Sequence, residues 1–201
     1  MKKLLLTALA TMTLLGCGDD GKDGASGADG KDGANGADGN TEWLITRNWT
    51  DTGNKQFAEY YKDGVFHRED GPAVTRYSRE HANRVILMRY YNKGIAHRVG
   101  GPAARFYKDV AEEWLIQESY YQDNEPHRED GPAFTTYSDV VKGQKASVSY
   151  WVLGRQHRAK EEGPAYTSYC PNGNVMVELY IENGELIPSS EIPSQTSYSC
   201  E

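Results

Sequence analysis

Four times along this chain an aromatic pair is followed by a turn, a His-Arg dipeptide and Gly-Pro-Ala, and the histidines (His67, His97, His127, His157) fall 30 residues apart. The first copy runs Tyr60-Tyr61-Lys62-Asp63-Gly64-Val65-Phe66-His67-Arg68-Glu69-Asp70-Gly71-Pro72-Ala73. A fainter fifth copy starts at Leu179-Tyr180-Ile181-Glu182-Asn183-Gly184 and lacks both His-Arg and Gly-Pro-Ala. A fixed period of this size confines the chain to repeat architectures, in which each unit covers its apolar side by stacking on its neighbours.

Each copy opens on a run that reads as a strand: Lys55 to Tyr61, Arg84 to Tyr91, Trp114 to Tyr121, Ala146 to Trp151 and Asn174 to Tyr180. Alternation puts Tyr90 with Met88 and Ile86, and Tyr120 with Ile116 and Trp114. The first Tyr of each pair is therefore expected to face the core, and the second a half-wet surface. Gly64, Gly94, Asn124, Gly154 and Gly184 hold the third place of the following turns, as a left-handed residue of a tight hairpin should. Gly71, Gly101, Gly131 and Gly163 each precede a proline, which belongs at a strand start or edge because it has no N–H. No segment has helical periodicity. The expected fold is all-β, an elongated antiparallel sheet of four to five tandem hairpin repeats over residues 41–187.

Tyr91-Asn92-Lys93-Gly94-Ile95-Ala96-His97 resembles a MORN-type repeat, and the His-Arg-Glu-x-Gly-Pro-Ala units resemble a bacterial and phage or viral variant of it more closely. Arg68, Arg98, Arg128 and Arg158 stand where MORN units have glycine, and the period is longer than theirs. The resemblance covers about residues 55–187. It implies a scaffold or a module that binds partners or lipid, not a catalyst.

The N-terminus supplies an address. Lys2-Lys3 precede an apolar run from Leu4 to Leu15, too short for a comfortable membrane span and read as a cleaved secretory signal over residues 1–16. Leu14-Leu15-Gly16-Cys17 is similar to the lipobox of bacterial lipoproteins. That resemblance implies acylation of Cys17, which would become the mature N-terminus. Gly18, not Asp, follows the cysteine, and the family's sorting rule then implies an outer-membrane anchor, on either its periplasmic or its surface face.

From Gly18 to Gly39 every third residue is glycine, and the segment resembles the collagen-like Gly-X-Y stretches of bacterial and phage proteins. Only glycine fits at a triple-helix axis. The stretch has no proline, however, and its six aspartates outnumber its two lysines. A soluble tether over residues 17–40, on a monomer, is the preferred reading, and a homotrimeric stalk the alternative. The net charge of −7, without a basic patch, disfavours nucleic acid as a partner.

Once Cys17 is acylated, Cys170 and Cys200 are the remaining thiols. In an exported chain they are expected to pair as a disulfide, tying the tail at residues 188–201 back over the last repeat. The four histidines invite a metal or catalytic reading. Equivalent residues two strands apart in a sheet are about 10 Å from each other, too far to share an ion. Moreover, an active site is built once from distinct residues, whereas here one dipeptide is repeated. The expected role is structural, with His against the Gly-Pro bend and Arg paired with acids such as Glu69 or Asp70. His81 lies out of register and reads as a loop residue. No catalytic residue, metal ligand or cofactor site is expected.

The row Tyr61, Tyr91, Tyr121, Trp151 and Tyr180 is the candidate partner surface, because Tyr and Trp combine contact area with a polar handle. The alternative is that these rings only cover the sheet as cross-strand pairs. The sequence thus reads as a lipid-anchored, non-enzymatic binding or scaffold module for a protein or glycan. A structural trimer built on the stalk, or an immunity or exclusion lipoprotein of mobile-element origin, are the alternatives.

Overall fold

The turns follow directly from their residues. In the computed structural model, which describes residues 42–192 and Cys200, Lys62 pairs with Val65, Asn92 with Ile95, Gln122 with Glu125, Val152 with Arg155 and Glu182 with Glu185. Two residues are left at each tip, and both have positive φ: Asp63 and Gly64 at 51° and 81°, Asp123 and Asn124 at 50° and 68°, Leu153 and Gly154 at 47° and 74°. This is type I′ geometry, whose twist matches that of the flanking strands.

The longer strands make one antiparallel sheet in strict chain order. They are Glu42–Asn48, Lys55–Lys62, Val74–Tyr77, Val85–Arg89, Ala104–Tyr107, Leu115–Ser119, Phe134–Tyr137, Lys145–Ser149, Tyr166–Tyr169 and Val175–Leu179. The protein is thus all-β, a long sheet of tandem hairpin units. The register repeats with the sequence: Thr75 lies between Ala58 and Met88, Thr135 between Glu118 and Val148, and Thr167 between Val148 and Glu178.

Three features differ from the sequence reading. First, Glu42–Asn48 is an additional strand outside the repeat, with Trp43 opposite Tyr61 and Ile45 opposite Glu59. It carries no turn signature and no copy of the motif, and so left no periodic trace. Second, in the later copies the strands do not run through the aromatic pair. Val85–Arg89 ends before Tyr90, and Tyr91–Asn92 begins a separate hairpin. At the break the N–H of Tyr90 donates to Ala103 at 2.8 Å, while its carbonyl accepts from His97 N–H at 3.3 Å. Tyr60 makes the same exchange with Ala73 and His67, but there Glu42–Asn48 pairs along the whole strand and keeps it continuous. Tyr120 and Tyr150 repeat the exchange with Ala133 and His127 and with Ala165 and His157.

Third, the first tyrosines do not enter a hydrophobic core. The buried apolar side chains are mostly small, with Ala73, Ala133 and Ala165 fully enclosed, and the largest fully buried side chains are Cys170, Ser78 and Ser119. Tyr60, Tyr90, Tyr120 and Tyr150 are half-buried, each beneath an arginine. The guanidinium carbons of Arg68, Arg98, Arg128 and Arg158 stand 4.0, 3.9, 4.0 and 4.1 Å from the ring centres. The glycine before each proline leaves room for this cap. A Cβ on Gly71 would lie 2.8 Å from Arg68 Cζ, and one on Gly131 3.0 Å from Arg128 Cζ. Neither glycine is among the positive-φ residues, so proximity to the arginine, and not backbone conformation, sets the requirement.

Cys170 and Cys200 are joined as expected, with their Cα atoms 5.3 Å apart. The signal segment, Cys17, the Gly-X-Y stretch and most of the tail lie outside the described residues. Among the described residues no helix is long and apolar enough to cross a membrane.

Candidate functional site

The short hairpins are joined to one another in a second row of hydrogen bonds. Gly94 N–H donates to Phe66 O at 2.8 Å, Asn124 to Ala96 at 3.0 Å, Gly154 to Pro126 at 3.0 Å and Gly184 to Gln156 at 2.9 Å. Arg68, Arg98, Arg128 and Arg158 donate their N–H groups to Tyr91, Tyr121, Trp151 and Ile181 of the next hairpin.

The histidines complete this row. Nδ1 of His67 accepts the N–H of Lys93 at 3.1 Å, and His97, His127 and His157 do the same for Asp123, Leu153 and Asn183. An acceptor Nδ1 places the ring proton on Nε2. Each histidine therefore fastens the next turn, whereas the sequence reading places it against its own Gly-Pro bend. Among the described residues no cluster of three or more His, Cys, Asp or Glu is placed to hold a metal. His81 lies in the bend after Ser78, whose Oγ accepts its N–H at 2.8 Å.

The arginines behave as expected where an acid follows: Arg68 Nε donates to Asp70 at 2.7 Å and Arg128 Nε to Asp130 at 2.6 Å. These contacts hold both aspartates below their usual range. In the second copy Val99-Gly100 replaces Glu-Asp, and Arg98 donates to Pro102 O at 3.1 Å, a contact that Arg128 and Arg158 also make, to Pro132 O at 3.4 Å and Pro164 O at 3.3 Å.

Tyr61, Tyr91, Tyr121 and Trp151 stand at equivalent positions of the four short hairpins, opposite Phe66, Ala96, Pro126 and Gln156, and are half-buried. Trp43, from the unforeseen edge strand, extends their row by stacking on Tyr61 at 5.8 Å. Phe66 fills the space from Tyr61 (4.7 Å) to Tyr91 (5.4 Å). Phe134 bridges Tyr121 and Trp151 edge-on, at 5.7 and 5.8 Å. Trp43–Tyr61 and Tyr61–Phe66 are cross-strand pairs, whereas Phe134, opposite Ser119 and Ser149, reaches Tyr121 and Trp151 from an adjoining strand; all these rings stay partly open to solvent.

Burial raises the titration of the Tyr61 and Tyr121 hydroxyls. At Tyr61 the hydrogen bond to Glu59, 2.9 Å, acts in the same sense, while at Tyr121 the charge of Arg89 opposes the shift.

Tyr180 does not belong to this row. It stands 30 residues after Tyr150, in the register of the first tyrosines, is 8% exposed, and its carbonyl accepts from Ile187 N–H at 2.8 Å. The position equivalent to Trp151 is Ile181, also buried. The row therefore ends at Trp151, because the fifth copy substitutes an aliphatic residue for the second ring. Counting by the period of 30 distinguishes the two tyrosine classes from sequence alone.

No protein-family model, no curated protein and no solved structure matches this chain.

Proposed function

We propose that this chain is a bacterial lipoprotein, acylated at Cys17 and held at the outer membrane, whose repeat sheet is a non-catalytic module that binds a protein or glycan. The observation that carries the binding half of this reading is the set of partly exposed rings, Trp43 on the edge strand and Tyr61, Tyr91, Tyr121 and Trp151 at equivalent positions of successive hairpins. Rings partly anchored by their neighbours offer contact area at little further cost in side-chain entropy. The histidines, the residues best suited to acid–base work, each make the same structural hydrogen bond, which weighs against an enzyme.

Metabolic labelling with a radioactive fatty acid tests the anchor, with Cys17→Ser expected to abolish incorporation. The module is tested by presenting the purified acylated protein with envelope proteins and, separately, with envelope glycans. A Tyr61→Ala/Trp151→Ala variant with an unchanged sheet spectrum should retain less partner than the parent; equal retention would retire the ring face as the binding surface.

A further inference from the structure

One place in the ring row is empty. Between Tyr61 and Tyr91 the space is taken by Phe66, and between Tyr121 and Trp151 by Phe134. Between Tyr91 and Tyr121 the residues at the same two repeat positions are Ala96 and Ala104. The result is an open recess of about 360 Å³ with Tyr91 and Tyr121 as walls, the two alanines below and Phe106 at one side. A cavity of about 150 Å³ already accepts benzene, so this space takes a ring bearing substituents. It also falls in the size range of small-ligand sites.

The polar groups here differ from those of the filled neighbour. At the position of Arg89 the first copy has Glu59, which is bonded to Tyr61 Oη and ion-paired with Arg76. Arg89 has no acidic partner among the described residues and lies over Phe106 at 5.4 Å. Gln117 donates to Ser119 Oγ at 3.0 Å, and both residues line the recess together with Asn124. Arg89 and Asn124 are exposed, so their polar groups are accessible to a polar ligand. A pyranose has apolar C–H faces for the tyrosines and a hydroxyl edge for the amides. A carboxylate on that ring would meet the guanidinium in a charge-assisted hydrogen bond.

We infer that the slot between Tyr91 and Tyr121 binds the pyranose ring of an acidic, uronate-type glycan. The inference rests on the reading of this face as a binding surface and names its ligand class. The chain's net charge of −7 does not oppose it strongly, because charges beyond about 8 Å are screened at physiological salt.

The decisive variant is Ala104→Phe, which gives the second copy the ring that the third already carries at Phe134. Full-length protein in detergent micelles is titrated by calorimetry with oligogalacturonate and with a neutral cello-oligosaccharide of equal length. The parent should bind the oligogalacturonate more tightly than the neutral chain. Ala104→Phe should weaken that binding at least tenfold with an unfolding midpoint equal to or above the parent's, and Arg89→Gln should remove the preference for the acidic chain. Undiminished binding by Ala104→Phe, or no binding of oligogalacturonate at millimolar concentration, overturns the assignment. If partner retention still depends on Tyr61 and Trp151 in that case, the broader binding face stands and only the slot is lost; if it does not, both fall.

Discussion

The imidazole of His67 and the backbone of Lys93 meet across a repeat boundary, Nδ1 accepting the turn N–H at 3.1 Å. His67 is 7% exposed, whereas Lys93 is exposed at the tip of its hairpin. His67→Phe keeps the ring and removes the acceptor. It should cost about 0.5–1.5 kcal/mol, the net worth of one hydrogen bond, while His67→Asn should recover part of that loss. Denaturant unfolding measures both, and a phenylalanine variant as stable as the parent would refute the staple.

Gly71 and Arg68 form a second coupled pair. Gly71→Ala should displace the guanidinium from Tyr60 and Asp70 and lower stability by about 0.5–1 kcal/mol, the scale of an exposed cation–π contact. The cost is modest because the obstructed group is the tip of a long side chain. In an Arg68→Ala background the same change should be nearly neutral. A double-mutant cycle with no coupling energy would contradict this.

Leu153 has φ of 47° in a two-residue turn and is 63% exposed. An L side chain there is strained without compensating burial, by roughly 1 kcal/mol. Leu153→Asn should therefore raise stability by about 0.5–1 kcal/mol, leaving the hydrogen bond to His127 intact. A lower thermal midpoint would be the contrary result.

Arg68 holds the Asp70 carboxyl, and Arg128 that of Asp130, below the usual aspartate range. A lowered folded-state value means that the contribution to stability is present above the unfolded aspartate value and is lost as pH falls through the folded one. NMR titration of Asp130 should move back toward the ordinary midpoint in Arg128→Gln, and an unmoved midpoint would exclude the pairing in solution. The second copy, with Val99-Gly100 in place of the acids, should add nothing to the acid sensitivity.

Cys170 and Cys200 close a loop across 30 residues of sequence. Chain-entropy arguments assign such a loop roughly 3–4 kcal/mol. Cys200→Ser should lower stability by about that amount in urea, and a variant matching the oxidised parent would show the bond to be dispensable.

Much of the fold was legible because its determinants are local. Asp63-Gly64, Asn183-Gly184 and their equivalents specify a I′ turn, and the period repeats it side by side. Less was legible where one residue has two partners. Tyr90 reads as one more strand residue, yet its N–H and carbonyl bond to different segments, Ala103 and His97, and no alternation pattern reveals such a switch. The ring row was only partly legible. Tyr61, Tyr91, Tyr121 and Trp151 could be assigned to one row, whereas Trp43 came from a strand with no repeat signature, and Tyr180 belonged to the other register.

The residues alone determined the unit, its turn chemistry, its antiparallel order and the pairing of the last two cysteines, since each depends on contacts close in sequence or on a strict count. Only the tertiary structure decided what His and Arg hold, how the rings share the face, and where that face lacks one. Those outcomes depend on side chains from adjacent repeats converging in space. A one-dimensional period shows that copies are alike, but not which small residue leaves a gap between two large ones.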